Sequence, residues 1–226
     1  HFWPESTGGY LPDIVASKGR IIAGALEGLK ISLDTAVLRD IAGDIEWRKV
    51  QGYSLEEYRE HRPARAGGLP GSLSLEVMLS IHERYESLKD EQSRTDFEVV
   101  LLAGVGMLEE ETRVRDRIQA QYGVFLVDEY QDVSPIQQRL LDAWLGKRED
   151  LVVVGDASQT IYTFAGASSS YLLDFATRYP TASVITLERN YRSSADIVQA
   201  ANHVISGRPG AVVLRARDSP STPIRR

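Results

Sequence analysis

Asp128 and Glu129 stand side by side, directly after the apolar residues 124–127. A carboxylate at the end of a buried strand is held rigidly and can ligate Mg²⁺ directly or through water. The adjacent glutamate points elsewhere and can orient an attacking water, so the pair offers both tasks that nucleotide hydrolysis requires. The alternative is a solvated acidic turn. The pair alone does not decide between the two, because short motifs often match by chance.

Two further polar clusters follow along the chain. Residues 155–167 read GDASQTIYTFAGA, in which Gln159 can contact a terminal phosphate while Tyr162 and Phe164 can stack on bases. For the two aromatics alone, burial in a core is the stronger alternative, since aromatic side chains dominate cores. Residues 187–193 read LERNYRS, in which Arg192 can reach a phosphate and Tyr191 can stack on a purine. Surface packing and a salt bridge are equal alternatives there.

The elements that must position these clusters divide the chain into two parts. To about residue 121, apolar residues recur at helical spacing, beginning with the face Ile14, Ile21, Ile22, Ala25 and Leu29 and continuing through residues 37–50 and 72–89. Residues 62–70 are rich in Pro, Gly and Arg, and we expect a mobile loop there. Asp96 is a candidate N-cap for a helix that begins at Phe97.

From residue 124 short apolar runs alternate with helices. We predict buried strands over residues 124–127, 151–154 and 183–187, a helix opened by Ser134 and Pro135, and a capping box over residues 193–196 before a helix to about Ile205. This alternation predicts an α/β fold with a parallel sheet, whose ligands bind at the carboxyl ends of the strands. All three polar clusters fall at those ends.

Composition excludes some classes of function. The 226 residues contain no cysteine, which excludes disulfides and thiolate metal sites, and the four histidines show no ligand spacing. No apolar run approaches the roughly 20 residues of a membrane span, so we expect a cytoplasmic protein with no membrane partner. The net charge of −6 argues mildly against nucleic-acid binding, yet residues 189–226 carry seven Arg against two Asp. Net charge therefore neither supports nor excludes nucleic-acid binding.

In order, the three clusters resemble motifs II, III and IV of the UvrD/Rep/PcrA superfamily 1 DNA helicases, through DEYQD, GDxxQxIYxFxGA and NYRS. Residues 96–98 are similar to the DF segment that precedes motif II in these helicases. The QTIYTF wording, in place of the commoner QSIYxWRGA, is most similar to a second UvrD-like helicase of actinobacteria. The resemblance implies a partial RecA-like motor domain over residues 96–206, preceded by an inserted all-helical domain over 1–95. Residues 207–226 would begin a second motor domain or form a linker.

The resemblance also implies ATP and Mg²⁺ as cofactors and single-stranded DNA as a partner. The implied roles are Asp128 as Mg²⁺ ligand, Glu129 as catalytic base, Gln159 as the link between γ-phosphate and DNA, Tyr191 as the adenine-stacking ring, Arg192 as the γ-phosphate arginine, and Phe97, Tyr162 and Phe164 as rings that stack on bases. Three positions depart from the family pattern. Phe164 replaces the commoner Trp, Ala165 stands where many relatives have Arg, and Arg189 replaces the usual Gln.

The sequence contains no G-x-x-x-x-G-K-[ST] loop, since its only Gly-Lys pair, Gly146-Lys147, is followed by Arg148. In this family that loop lies upstream, so we expect a fragment that lacks N-terminal and C-terminal parts of its parent, leaves a sheet edge exposed and is inactive in isolation. Two interpretations remain. The first is a fragment of an ATP-dependent 3′-to-5′ DNA helicase of repair or replication, which the two retained acids favour. The second is a non-catalytic module that binds single-stranded DNA or a protein. A helicase–nuclease relative would need a further carboxylate-metal domain beyond Arg226.

Overall fold

The computed structural model describes Gly9 and residues 12–217. His1 and residues 218–226, the end of the segment predicted to begin a second motor domain or form a linker, lie outside the described residues. The helices are α1 Gly19–Gly28, α2 Thr35–Gln51, α3 Leu55–His61, α4 Leu75–Glu91, α5 Phe97–Glu110, α6 Thr112–Gln121, α7 Pro135–Leu145, α8 Ser170–Leu173, α9 Phe175–Arg178 and α10 Ala195–Ile205. The strands are β1 Asp13–Ile14, β2 Arg94–Thr95, β3 Phe125–Val127, β4 Leu151–Val153, β5 Arg189–Asn190 and β6 Arg215–Ala216.

The chain divides into two compact units. The helical unit comprises His1–Gly123, Ser134–Asp150 and Phe164–Gly166, and the strand unit comprises Val124–Val133, Leu151–Thr163 and Ala167–Arg226. Helices α5, α6 and α7 therefore belong to the helical unit together with the helices before residue 95. The domain boundaries expected at residues 95 and 206 stay predictions.

The helical unit is built around α2, which has a cap at each end. The Asp34 carboxylate accepts a hydrogen bond from the Val37 N–H at 2.8 Å, and the helix ends at Gly52, whose φ of 76° is left-handed. One side of α2 packs with α1 and α4 in a core of Val15, Ile21, Ile22, Leu26, Ile41, Ile45, Met78, Ile81 and Tyr85. The predicted helical faces are thus confirmed within α1, α2 and α4, although α4 begins at Leu75 and not at Ser72.

The far end of α2 joins a second, smaller core with α5 and α7. Val50, Val105 and Ile136 are buried there, with Leu101, Leu102 and Leu140 packed around them. Both predicted helix starts are confirmed. Asp96 caps α5 by accepting the Val99 N–H at 3.1 Å, and α7 begins at Pro135 after Ser134.

One prediction for the helical unit is wrong. Ile14 is not on a helix, because α1 begins only at Gly19; it lies in β1, which pairs with β2 in parallel. The segment expected to be a mobile loop, residues 62–70, has a 3₁₀ turn at Arg62–Ala64 and enters another at Pro70–Ser72, and its mobility stays a prediction. The Arg62 side chain is buried and pairs with Asp44, Nε to Oδ2, at 2.6 Å, a long-range contact that the loop composition did not reveal.

In the strand unit, β3 and β4 pair in parallel with Phe125 opposite Leu151 and Val127 opposite Val153. Both strands were predicted, and so was their parallel pairing. Their predicted burial is wrong, since Leu126 is 78% exposed and Val152 and Val154 are also exposed. The sheet has two strands in the part of the chain that the structure describes, so apolar side chains of the strands remain in solvent.

The prediction of a third strand over residues 183–187 is also wrong. These residues adopt no regular structure, and Val184, Ile185 and Leu187 are exposed. The strand that forms is β5, two residues further on, and it pairs with β6 in a separate parallel sheet. No helix of the described residues is long and apolar enough to cross a membrane.

Candidate functional site

The turn after β3 is fixed by backbone hydrogen bonds to the residue that follows β4. The Val154 N–H donates to Val127 O at 2.8 Å, and the Tyr130 N–H donates to Val154 O at 2.9 Å. Between them, Glu129 adopts φ 51° and ψ 40°, a left-handed conformation that is uncommon for any residue with a side chain. Residues held in such conformations concentrate at functional sites, where the surrounding structure imposes them.

Gln131 links this turn to the loop after β4. Its side chain is buried, donates from Nε2 to Glu129 Oε2 at 2.7 Å, and accepts at Oε1 from the Asp156 N–H at 3.0 Å. Sequence reasoning did not assign Gln131 a role. The residue type was a usable signal. An amide side chain can donate to a carboxylate from its nitrogen and accept from a backbone N–H at its oxygen. Among residues 128–132, Gln131 is the one side chain with two such atoms.

The loop after β4 is ordered by Asp156. Its Oδ1 accepts the Ser158 N–H at 2.9 Å and its Oδ2 accepts Gln159 Nε2 at 3.0 Å. Gly155 permits the close approach of the two loops, because a Cβ there would lie 2.6 Å from Gln131 Oε1. Glu129 and Gln159 therefore belong to one hydrogen-bonded network at the carboxyl end of β3 and β4. Asp128, whose Oδ1 accepts the Glu129 N–H at 2.9 Å, begins the same turn.

Tyr191 and Arg192 are not joined to this network. They lie between β5 and α10, outside the β3–β4 sheet, and among the described residues no hydrogen bond, ion pair or ring contact links them to Asp128, Glu129 or Gln159. The expectation that all three clusters end strands of one sheet is therefore wrong for the third. The predicted α10 is confirmed, but the capping box is not, because Ser194 makes no side-chain cap bond.

Asn190 and Arg189 shape the third cluster instead. The Asn190 Oδ1 accepts the N–H groups of Arg192 at 2.9 Å and Ser193 at 2.8 Å, which turns the chain into α10. The Arg189 guanidinium lies 5.5 Å from the centre of the Tyr191 ring, within the range of a cation–π contact. Arg189, one of the three residues that depart from the family pattern, is thus in contact with the Tyr191 ring.

The three aromatic residues proposed to contact DNA are all exposed. The exposed fractions are 64% for Phe97, 51% for Tyr162 and 69% for Phe164. The alternative that Tyr162 and Phe164 are core residues is therefore wrong. Exposed large aromatic side chains are costly in water and are common at binding surfaces.

Phe97 owes its position to the buried residue before it. The Asp96 Oδ2 accepts hydrogen bonds from Lys49 Nζ at 2.6 Å, Lys89 Nζ at 3.0 Å and the Tyr85 hydroxyl at 3.0 Å, while Oδ1 caps α5. Burial alone would raise the pKa of Asp96, but the two ammonium groups outweigh it and hold the pKa far below its ordinary value. The ionised Asp96 thus fixes the first turn of α5, whose first residue is Phe97.

Asp128 is the residue of this turn that the resemblance assigns to a divalent cation, and its side chain is exposed at the end of β3. Among the described residues no group of three or more His, Cys, Asp or Glu side chains could hold a metal ion. Mg²⁺ in nucleotide sites needs only one or two carboxylates, since phosphate oxygens and water supply the other ligands. An exposed carboxylate at a strand end, as at Asp128, fits that requirement.

Comparison with known proteins gives the family. Residues 26–180 match the UvrD/REP helicase N-terminal domain. The chain belongs to the UvrD/REP helicase family. The matched residues include the β3–β4 network and the three exposed aromatics, and they end before Tyr191 and Arg192.

The curated relatives in this family are helicases by name. The chain is 42% identical over 218 residues to ATP-dependent DNA helicase UvrD2 of Mycobacterium tuberculosis, covering 94% of this chain and 30% of UvrD2. It is 30% identical over 185 residues to PcrA of Bacillus subtilis, covering 82% of this chain and 24% of PcrA. With Rep of Salmonella typhimurium it shares 40% identity over 114 residues, which is 50% of this chain and 17% of Rep. The chain thus spans about 30% of the length of the UvrD2 relatives. The resemblance to the UvrD/Rep/PcrA family and to its second UvrD-like member is confirmed.

Proposed function

We propose that this chain is the part of an ATP-dependent DNA helicase that couples the nucleotide site to single-stranded DNA, in a parent enzyme that moves 3′ to 5′ during repair or replication. In this proposal β3 and β4 are strands of a RecA-like motor domain. Asp128 would hold Mg²⁺ with the phosphates of ATP, Glu129 would orient the attacking water, and Gln159 would contact the γ-phosphate. Tyr191 would stack on adenine and Arg192 would approach the γ-phosphate.

The observation that carries the proposal is the pair of hydrogen bonds made by Gln131. They fix the Glu129 carboxylate and the Asp156–Gln159 loop to one another, so a displacement of one loop is transmitted to the other. Residues 160–164 continue that loop into the exposed rings of Tyr162 and Phe164. A phosphate contact at Gln159 and a base contact at Tyr162 are then only three residues apart in sequence.

The test is Glu129→Gln in the full-length parent. The substitution keeps an oxygen that accepts the Gln131 amide, so the network is retained while the base is lost. We expect kcat of the DNA-stimulated ATPase to fall about 10²- to 10⁴-fold, the usual contribution of a positioned base, with ATP affinity nearly unchanged. Glu110→Gln, an exposed acid at the end of α5, is the matched control. An unchanged kcat in Glu129→Gln would refute the assignment.

We expect the 226-residue chain by itself to hydrolyse no ATP at a measurable rate. Phosphoryl transfer depends on positioning and charge stabilisation, and the sequence has no lysine loop to provide either at the β- and γ-phosphates. The alternative function, a non-catalytic module that binds single-stranded DNA, is favoured only by the exposed aromatics. It predicts that Glu129→Gln leaves the ATPase activity of the parent unchanged. The same assay therefore distinguishes the two functions.

A further inference from the structure

Arg65 connects the 3₁₀ turn after α3 to the backbone of Phe164. Its Nη2 donates to the Phe164 carbonyl at 2.9 Å, and its Nη1 donates to Asp44 Oδ2 at 3.2 Å. The guanidinium lies over the Trp47 ring, 4.5 Å from the ring centre. All four residues belong to the helical unit, although Phe164 is 99 residues from Arg65 in sequence. One side chain therefore joins α2, the turn after α3 and the end of the motif III loop.

Asp44 gives Arg65 a fixed anchor. Its carboxylate is buried and also accepts hydrogen bonds from the Tyr58 hydroxyl at 2.5 Å and from Arg62 Nε at 2.6 Å, with His82 Nε2 at 3.4 Å. Burial alone would raise the pKa of Asp44, but the bonds from His82, Tyr58 and Arg62 outweigh it and lower the pKa. The carboxylate therefore remains ionised and rigidly held on the side that faces Arg65.

A second hydrogen bond holds the same segment two residues after Phe164. Gln51 Nε2 donates to the Gly166 carbonyl at 3.4 Å, and Gly166 adopts φ +98°. A Cβ at Gly166 would lie 2.5 Å from Val50 Cγ2, so only glycine lets the segment approach α2 this closely. The backbone of residues 164–166 is thus held at one end by Arg65 and at the other by Gln51 of α2, while the Phe164 ring is 69% exposed.

From these contacts we propose that Arg65 is a positioning residue for the Phe164 ring, which the helical unit presets for stacking on single-stranded DNA. The inference rests on the proposed function and extends it, because it gives the helices before residue 95 a part in DNA contact. A ring whose backbone is already fixed loses less conformational entropy when a base stacks on it. Lys cannot replace Arg65 fully, since a planar guanidinium both stacks on Trp47 and donates two directed bonds.

The experiment measures ATPase activity of the full-length parent against the concentration of single-stranded oligothymidylate. Arg65→Met removes the donors and keeps a stem that packs on Trp47. We expect the DNA concentration for half-maximal stimulation to rise about 3- to 10-fold, with kcat at saturating DNA unchanged. Arg65→Lys, which retains the charge and one donor nitrogen, should recover part of the loss. Arg59→Gln is the matched control, because Arg59 pairs with the exposed Glu76 and does not contact Phe164.

A double-mutant cycle with Phe164→Ala separates the two levels of the proposal. If Arg65 acts through the ring, Arg65→Met adds nothing in the Phe164→Ala background. Two results would overturn the role of Arg65 and leave the proposed function standing. One is a full additional loss in the Phe164→Ala background. The other is an unchanged half-saturating DNA concentration in Arg65→Met although Phe164→Ala raises it. No effect of Phe164→Ala on half-saturation overturns the DNA contact itself. If Arg65→Met lowers the melting temperature, the cycle is repeated with Arg65→Lys. A loss that disappears in the Phe164→Ala background supports the role of Arg65 through the ring, and a loss that persists there overturns it.

Discussion

Glu129 and Phe164 are held in place by backbone geometry as well as by side-chain contacts. The left-handed backbone of Glu129 turns its carboxylate toward Gln131, and the Phe164 carbonyl is held by Arg65. Arg189 acts on a side chain instead, through its contact with the Tyr191 ring. Each of these candidate site residues is therefore in contact with a second residue, which is Gln131 at Glu129, Arg65 at Phe164 and Arg189 at Tyr191.

The exposed aromatics give the first prediction at this scale. Alanine at Phe97, Tyr162 or Phe164 in the full-length parent should each weaken single-stranded DNA binding by about 1–3 kcal/mol, the usual value of a stacked base. The melting temperature should change little, because each ring is more than half exposed. Fluorescence anisotropy with a labelled oligonucleotide and a thermal melt on the same samples provide the check. A large melting shift with unchanged DNA affinity would mean that these rings serve stability alone.

At the scale of elements, the loops that follow β3 and β4 behave as one structure. The parallel register sets Val127 beside Val153, and the backbone bonds at Val154 extend the pairing into both loops. Behind the first loop, Tyr130 is fully buried and meets Phe175 edge to face at 5.8 Å. The packing of the strand unit thus supports the turn that carries Asp128 and Glu129.

Gly155 tests this coupling of the loops. A methyl group there would meet both Gln131 and Leu172 at 3.0 Å or less, so Gly155→Ala must displace the Gln131 amide. We expect the free energy of unfolding to fall by about 1–3 kcal/mol and the DNA-stimulated ATPase of the parent to fall with it. Gly106→Ala in α5 is the control, because nothing lies within 4 Å of its added methyl. That control should stabilise the helix by about 0.5–1 kcal/mol, and equal effects of both substitutions in urea denaturation would contradict the coupling.

At the scale of the whole molecule, the buried charged side chains of the described residues all lie in the helical unit. Its buried polar and charged residues include Asp44, Arg48, Lys49, Arg62, His82, Lys89, Asp96 and Glu98. Burial lowers the pKa of Lys49 to about 8, even though Glu86 and Asp96 face it. A network of this kind holds elements in one arrangement and makes the stability of the fold depend on pH.

His82 should cause the first loss of stability as the pH falls from neutral. Burial lowers its pKa below the ordinary 6.5, against the opposing hydrogen bond to Asp44 and with Arg48 lowering it further. The unfolded chain therefore takes up a proton near pH 6.5 that the folded chain does not. The free energy of unfolding should fall as pH drops below about 6.5, by about 1.4 kcal/mol for each unit of pKa difference. Asp44, Glu86 and Asp96, whose pKa values are lowered, add a second loss below about pH 4.

Urea denaturation between about pH 2 and about pH 8 measures both steps. In His82→Gln the loss between about pH 7 and pH 5 should be smaller, while the acidic step remains. His61→Gln, at an exposed position of the same unit, is the control and should follow the wild-type curve. A His82→Gln curve that also follows the wild type would exclude His82 as the source.

Much of the local structure could be predicted from the sequence, because it depends on neighbouring residues. Apolar spacing gave the helices around residues 21–29 and 37–50, and the caps at Asp96 and Ser134 followed from side-chain chemistry. The apolar runs before Asp128 and Gly155 gave two strands and their parallel pairing. The motif strings gave the family, since their order along the chain is a property of sequence alone.

The tertiary structure decided which residues meet. An apolar run becomes a strand only where a neighbouring strand completes its hydrogen bonds, so residues 183–187 looked like a strand and did not form one. The left-handed turn at Glu129, the bridge made by Gln131 and the bond from Arg65 to Phe164 depend on loops distant in sequence. Sequence spacing contains no distance between such loops, and the packing of the helices and strands that carry them supplies it.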